Sequence, residues 1–145
     1  MDKDRTEKHV GYFLERTTRN VKLAFTKKFK ALGIDLTPEQ WVLIDKLSQV
    51  DSLSQIELAN ASFKNAPTIS RIIDILEKKV LVVRQKAEDD RRSYRVFLTT
   101  EGKQLVKKIR PHVSQLRQKS WDKLSDKDYS EFIRIINQVF DNFSD

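Results

Sequence analysis

Hydrophobic residues recur at helical spacing along most of the chain. Between residues 6 and 32 they fall three or four positions apart, with lysines between them, which predicts one long helix ending at Gly33. Thr37, Pro38 and Gln40 form a helix-start signature, because threonine can cap a helix, proline suits its first position and glutamine completes a capping box. The apolar face of the helix that follows consists of Trp41, Leu43, Ile44 and Leu47.

Two further helices are predicted close together, at about residues 54–61 and 66–79. The inward side of the first is expected to carry Ile56, Leu58 and Ala59. Asn65 can cap the second helix, and Pro67 is tolerated there because it lies in the first turn. The second helix is strongly amphipathic, with apolar residues at i, i+3, i+4 and i+7. These residues are Ile69, Ile72, Ile73 and Leu76.

The periodicity changes after residue 79. Residues 80–84 and 94–98 are rich in β-branched and aromatic side chains, which is typical of strands. The stretch between them, residues 86–92, is almost entirely charged. This pattern predicts a β-hairpin with a long solvated tip.

Two more helices are predicted after the hairpin. A threonine at 99 or 100 can cap the first, which extends to about residue 119 and is expected to kink at Pro111. Ser125 can cap the last helix. Its hydrophobic seam consists of Phe132, Ile136, Val139 and Phe143. The seam can pack within the subunit or against a partner, and dimerisation is favoured because a terminal helix has little of its own chain left to cover it.

All of the excess positive charge lies in one segment. The 145-residue chain has 28 Lys and Arg residues against 21 Asp and Glu, which gives a formal net charge of +7. Residues 64–110 contain 13 basic and 6 acidic residues, a net of +7, so the rest of the chain is neutral. Such a concentrated basic segment is typical of a surface that binds a polyanion; a solvated basic face is the alternative.

Composition argues against several classes of protein. The chain has no cysteine, which excludes disulfides and thiolate metal sites, and no apolar run approaches the roughly 18 residues of a membrane span. Its first residues are polar, unlike a signal peptide, so a cytoplasmic protein without a membrane partner is expected. The two histidines, His9 and His112, lie far apart, and no catalytic residue, metal site or cofactor is expected.

The order of these elements is typical of a winged helix-turn-helix, a mainly α fold with a small β-hairpin as the wing. Because the apolar stripe of helix 66–79 faces the core, the polar residues of its first turns face outward. The DNA major groove admits one α-helix, and Arg71 can there donate two hydrogen bonds to a guanine. Arginines at the hairpin tip can enter the narrow minor groove.

Three segments resemble the MarR family of transcriptional regulators. Residues 90–102, which read Asp-Arg-Arg-Ser-Tyr-Arg-Val-Phe-Leu-Thr-Thr-Glu-Gly, resemble the family's wing; residues 66–79 resemble its recognition helix, and residues 36–41 the start of its second helix. The resemblance implies a homodimer joined through its first and last helices. It also implies a pseudo-palindromic operator, usually repression, and often release by a small anionic or aromatic ligand. It marks Arg92 as the minor-groove arginine and Asp90 as its support.

These inferences give a domain layout and a set of site residues. The single domain spans residues 6–142, with a winged helix-turn-helix core at 37–100, the helix pair at about 54–79, the wing at 80–99, and N- and C-terminal dimerisation helices in 1–36 and 101–145. The predicted DNA-binding residues are Ser54, Gln55, Asn65, Pro67, Thr68, Ser70, Arg71, Lys86, Arg91 and Arg92. The predicted dimer interface is the seam of Phe132, Ile136, Val139 and Phe143.

One position departs from the family pattern. Val80 stands where the family commonly has glycine after the recognition helix. A β-branched residue is unfavourable in the left-handed conformation, so either the helix ends with another geometry or the turn is strained. Two rival functions also stay open: a protein-interaction module that uses the same scaffold without DNA, and, with least support from the residues, a small enzyme.

Overall fold

The computed structural model describes residues 9–88 and 94–145, in two compact units that run up to Pro111 and from His112 onward. The elements are α1 (Val10–Ala31), α2 (Pro38–Ser48), β1 (Leu53–Ser54), α3 (Gln55–Ser62), α4 (Ala66–Lys78), β2 (Val82–Lys86), β3 (Tyr94–Leu98), α5 (Thr100–Ser120) and α6 (Asp126–Asn142). The predicted class, mainly α with a small β wing, is confirmed. Within the described ranges, no helix combines the length and apolarity needed to cross a membrane.

The predicted helix caps are formed by side chains. Thr37 Oγ1 accepts a hydrogen bond from the N–H of Gln40 at 3.1 Å, and Gln40 Oε1 accepts one from the N–H of Thr37 at 3.2 Å. Asn65 caps α4, and Ser125 forms a reciprocal box with Asp128 at α6. These contacts satisfy N–H groups that have no partner inside the helix, which is why such short sequence signals locate helix starts well.

A three-stranded antiparallel sheet forms the wing, in the order β1-β3-β2. Its hairpin was predicted, but β2 begins at Val82 rather than at residue 80, because Val80 is still part of the helix exit. The short strand β1, in which Leu53 pairs with Val96, was not predicted. Two residues are too few for an alternating pattern, and Ser54 also serves as the N-cap of α3.

The hydrophobic core of the first unit is built mainly on α2 and α4. The four apolar residues predicted for each helix are all buried. Phe29 of α1 packs edge-to-face against Trp41, with ring centroids 6.4 Å apart, and joins α1 to this core. The prediction for Ile56 is wrong: its side chain is 70% exposed. Leu58 is the buried anchor of α3, and Ile56, two residues earlier, lies about 200° around the helix from it.

Two helices of the first unit end on bulky residues in the left-handed conformation. Phe63, after α3, has φ 56°, and Val80, after α4, has φ 60°. Behind Val80, the N–H of Leu81 donates to the carbonyl oxygen of Leu76 at 3.0 Å and closes the turn. Of the two alternatives that the sequence leaves at Val80, the strained turn is the one observed. An L-residue in this conformation costs about 1–2 kcal/mol.

The second unit consists of the end of α5 and the amphipathic helix α6. Trp121 packs edge-to-face on Tyr129 and Phe132, with centroids 4.7 and 5.6 Å away. All residues of α6 are described, and none is buried in the single chain. Phe132 is exposed, and Phe143, just beyond the helix, is 85% exposed. The apolar face of α6 therefore lacks a complete cover in one subunit.

Candidate nucleic-acid interface

The first turns of α4 present a polar surface opposite its buried stripe. Asn65 Oδ1 accepts a hydrogen bond from the N–H of Thr68 at 2.9 Å, which fixes the start of the helix. Pro67 lies in the first turn, where its missing N–H leaves no helical bond unmade. Pro67 and Arg71 are exposed, and Thr68 is half-buried.

Arg71 makes no side-chain contact with another polar group in the described part of the chain. It is exposed, and no hydrogen bond or ion pair joins it to another residue within 9–88 and 94–145. Its position, six residues after the cap Asn65, places it on the second turn of α4. Its guanidinium is therefore available to an external acceptor.

Arg84 of β2, in contrast to Arg71, uses its guanidinium for hydrogen bonds to both helices of the pair. Nε donates to Gln55 Oε1 at 2.9 Å, Nη1 to Asp74 Oδ1 at 2.5 Å and to Glu77 Oε1 at 2.6 Å. Nη2 donates to the carbonyl oxygen of Ser70 at 3.0 Å. One side chain of the wing thus connects the start of α3 with two turns of α4.

The electrostatic balance at Arg84 favours the charged form. Partial burial, which leaves 17% of the side chain exposed, by itself lowers the pKa of Arg84. The hydrogen bonds and charges of Asp74 and Glu77 outweigh that effect and raise the pKa above its ordinary value. The guanidinium therefore stays protonated while it holds the two carboxylates.

A second arginine joins β3 to the start of α3. Arg95 Nε donates to Ser52 Oγ at 2.8 Å, and Nη2 donates to the carbonyl oxygen of Ser52 at 3.2 Å and approaches Glu57 Oε2 at 3.9 Å. Glu57 in turn accepts from the N–H of Ser54 in a capping box. Each of the two hairpin strands thus contributes one arginine that connects the wing to the helix pair.

The base of the wing is packed tightly against α5. Thr99 Oγ1 donates to the carbonyl oxygen of Val80 at 2.6 Å and accepts from the N–H of Gly102 at 3.0 Å. A Cβ at Gly102 would collide with the carbonyl oxygen of Leu81. Glycine is therefore required here by close approach of two backbones.

The predicted DNA-binding residues divide into two groups. Side-chain oxygens of Ser54 and Asn65 cap helices, and those of Gln55 and Ser70 accept from Arg84, the last at 3.4 Å. Lys86, at the end of β2, is exposed like Pro67 and Arg71. Their contacts with DNA stay predictions. Asp90, Arg91 and Arg92 lie outside the described residues.

Sequence reasoning missed Arg84 as the connection between the wing and the helices. A signal was present: Val82 and Arg84 share one face of the strand, and Asp74 and Glu77 are one turn apart on α4. Their meeting depends on tertiary packing. Among the described residues, no cluster of three or more His, Asp or Glu side chains could hold a metal ion.

This geometry defines a winged helix-turn-helix, in which α3 and α4 form the helix pair and β2 and β3 the hairpin of the wing. In the DNA-binding proteins of this class, the exposed face of the second helix enters the major groove. Residues 36–94 match the model of the MarR family, so the resemblance inferred from the sequence is confirmed over this segment.

Solved structures share the fold over nearly the whole chain. The MepR protein of S. aureus, determined in complex with DNA, has 24% identity and a TM-score of 0.85, covering 93% of this chain and 98% of its own. A mutant of MarR from E. coli, complexed with operator DNA, has 19% identity and a TM-score of 0.85, with coverages of 96% and 99%. BpsR of Bordetella bronchiseptica, whose DNA binding is regulated by 6-hydroxynicotinic acid, has 21% identity and a TM-score of 0.84, with coverages of 100% and 99%.

Proposed function

We propose that this protein represses transcription as a homodimer that binds a pseudo-palindromic operator. In the proposed complex α4 lies in the major groove, and the hairpin of β2 and β3 reaches the minor groove. The contrast between two arginines carries the proposal. Arg84 donates its hydrogen bonds to other residues of the protein, whereas Arg71 is exposed and without a partner among the described residues. A fixed helix with a free arginine on its outer face is what guanine recognition in the major groove requires.

Charge and structural likeness support DNA as the partner. The excess charge of +7 lies within residues 64–110, which include α4 and the wing. MepR and MarR, which share the fold, were both determined with DNA. In the proposed complex Arg92 enters the minor groove, Asp90 holds it in place, and Lys86 and Arg91 contact phosphates. Minor-groove potential favours such insertion of arginine.

The proposed dimer uses the exposed face of α6. Phe132 and Phe143 are exposed, while Ile136 and Val139 are half-buried, so a partner helix would remove a continuous apolar surface from water. A two-fold dimer would present two copies of α4 to half-sites about 34 Å apart, one turn of DNA. The two-fold symmetry of such a dimer would be matched by a pseudo-palindromic operator.

A pair of charge-matched variants on α4 tests the recognition step. Arg71→Ala removes the proposed base contact near the start of the helix, and Lys78→Ala removes one exposed cation at its other end. With an operator selected from random duplex DNA, we expect Arg71→Ala to lose about tenfold or more in affinity and to relax the preference at one base pair. Lys78→Ala should change affinity only slightly. Equal losses for the two variants would contradict the assignment of Arg71.

Salt dependence separates DNA binding from the rival interaction module. If the protein displaces counterions from phosphates, the logarithm of the affinity falls linearly with the logarithm of the salt concentration. A titration of duplex DNA at several salt concentrations should show this line with a slope of several units. The absence of any complex at low salt would refute the proposed function and leave the protein-interaction module.

We also propose an anionic effector, taken up by a cleft within the first unit. The cleft has a volume of about 590 Å³ and combines an apolar floor with three cations on α5. The floor includes Leu47, Leu98 and Val106, and the cations are Lys103, Lys107 and Arg110. Aromatic carboxylates are the matching class, and 6-hydroxynicotinic acid regulates DNA binding by BpsR. Calorimetric titration with that compound should show binding that Lys107→Ala weakens; unchanged binding would exclude this cleft.

A further inference from the structure

Phe63 is the most exposed large hydrophobic residue among those described. Its side chain is 90% exposed, at the bend between α3 and α4, and its backbone has φ 56° and ψ 39°. The left-handed conformation is unfavourable for an aromatic residue, and a glycine would adopt it without cost. The bend therefore carries a residue whose backbone conformation lowers stability and whose exposed ring adds almost no buried surface to the fold.

The position of Phe63 relates the ring to the proposed DNA interface. Phe63 precedes Asn65, the N-cap of α4, by two residues, and the exposed Pro67 follows in the first turn. Lys64 lies beside it in the chain and adds a cation at the same end of α4. The ring thus lies next in the chain to the first turn of α4, whose exposed face would enter the major groove.

Val80 is a natural comparison, because it has the same backbone conformation at the opposite end of α4. Its φ is 60°, and its side chain is 56% exposed. Across the 13 residues of α4, the two ends are about 20 Å apart. Any effect of the left-handed conformation alone should be shared by the two positions, whereas an effect of DNA contact should belong to Phe63.

We propose that Phe63 is a DNA-contact residue, whose ring packs on the apolar surface of the duplex beside the entry of α4, on deoxyribose or on a thymine methyl group. Thymine methyl groups line the major groove and are contacted by apolar side chains, including phenylalanine. The inference rests on the proposed function and adds to it an apolar contact that the sequence-predicted polar residues do not supply.

A protein partner fits the ring less well than DNA. A single phenylalanine offers about 200 Å² of surface, far below the roughly 800 Å² per partner of a stable protein interface. The next strongly exposed apolar residue of the helix pair, Ile56, is seven positions away, about 10 Å along α3, with the polar Asn60 between them. One ring can, however, add to an interface that cations already hold.

Three variants test the proposal on one selected operator. Phe63→Gly and Val80→Gly should each raise Tm by a few degrees, because each relieves an unfavourable backbone conformation. Of these two variants, only Phe63→Gly should weaken operator binding, by about fivefold to tenfold, the loss expected for one apolar contact. Phe63→Ala, which removes the ring without adding glycine's freedom, should weaken binding equally and leave Tm nearly unchanged.

The outcomes are distinguishable. Full affinity in both Phe63 variants would overturn the inference while the proposed function stood, and loss only in Phe63→Gly would overturn it by assigning the effect to loop freedom. A change in sedimentation of Phe63→Gly without DNA would assign the ring to a second copy of the chain and would also overturn it. If the wild type binds no duplex, the proposed function itself fails. With deoxyuridine in place of thymidine, disappearance of the Phe63→Gly penalty identifies the methyl group, and its persistence identifies the sugar.

Discussion

Replacing Arg84 with methionine should separate the wing from the helix pair. Arg84→Met keeps an apolar stem of similar length and removes all the donors that bind Gln55, Ser70, Asp74 and Glu77. The packing of the stem against the sheet should survive, so the change isolates the polar contacts. We expect both a loss of stability and a loss of DNA affinity, since α4 would no longer be fixed relative to β2.

The expected loss of stability follows from the exposure of the partners. Complete burial of an ion pair would make its disruption cost about 3–5 kcal/mol, but the side chains of Asp74 and Glu77 are 58% and 35% exposed and can recover water. Gln55 and Ser70, which are partly buried, each lose a contact of about 1 kcal/mol. Repulsion between the two carboxylates, one turn apart, adds about 0.3 kcal/mol. The free energy of unfolding should therefore fall by about 2–3 kcal/mol.

Urea denaturation and operator titration would measure the two effects. Arg84→Lys is the matched control, because it keeps the charge but cannot reach all partners at once, and its loss should be intermediate. Asp74→Asn in the Arg84→Met background should restore part of the stability by removing the repulsion. A loss below about 0.5 kcal/mol for Arg84→Met, the range of an ordinary surface change, would refute this account of the cluster.

Three other changes have defined outcomes. Gly102→Ala should lower the free energy of unfolding by about 1–3 kcal/mol, because its Cβ meets the carbonyl oxygen of Leu81; an unchanged urea midpoint would contradict that packing. Deletion of residues 126–145 should yield monomer or aggregate, and a stable dimer on sedimentation would count against the seam. Burial raises the pKa of Glu39, but a backbone hydrogen bond and the contact with Lys22 outweigh it, so the pKa lies below its ordinary value of 4.5. The charged carboxylate therefore stabilises the fold above that value, and this contribution is lost as pH falls. The Tm deficit of Glu39→Gln should shrink on acidification.

Much of the fold could be predicted because its signals are local. The stripe of α4 repeats at helical spacing, and the caps at Thr37, Asn65 and Ser125 are set by residues within one turn. These features need no knowledge of the rest of the chain. The exposed Arg71 was predicted by the same reasoning, since residues opposite a buried stripe must face outward.

The remaining features depend on contacts between distant segments. Nothing in the sequence near Arg84 distinguishes it from an ordinary exposed cation. Only the packing of β2 on α4 brings it to Asp74 and Glu77. The strand β1 exists because β3 offers it an edge, and two residues carry no periodicity of their own. Ile56 was assigned to the core from its side chain alone, although the short helix α3 has room for a single buried anchor, Leu58.

The polar cluster around Arg84 has a mechanical consequence for regulation. A helix and a hairpin that share one guanidinium are displaced as a single body, since bending one against the other breaks charged contacts at several points. A ligand that regulates such a protein is therefore not expected to act by moving α4 relative to the hairpin of β2 and β3. We therefore expect the proposed effector to act by changing the distance between the two copies of α4 in the proposed dimer. Such a ligand should alter how well half-site spacing is tolerated more than which bases are preferred.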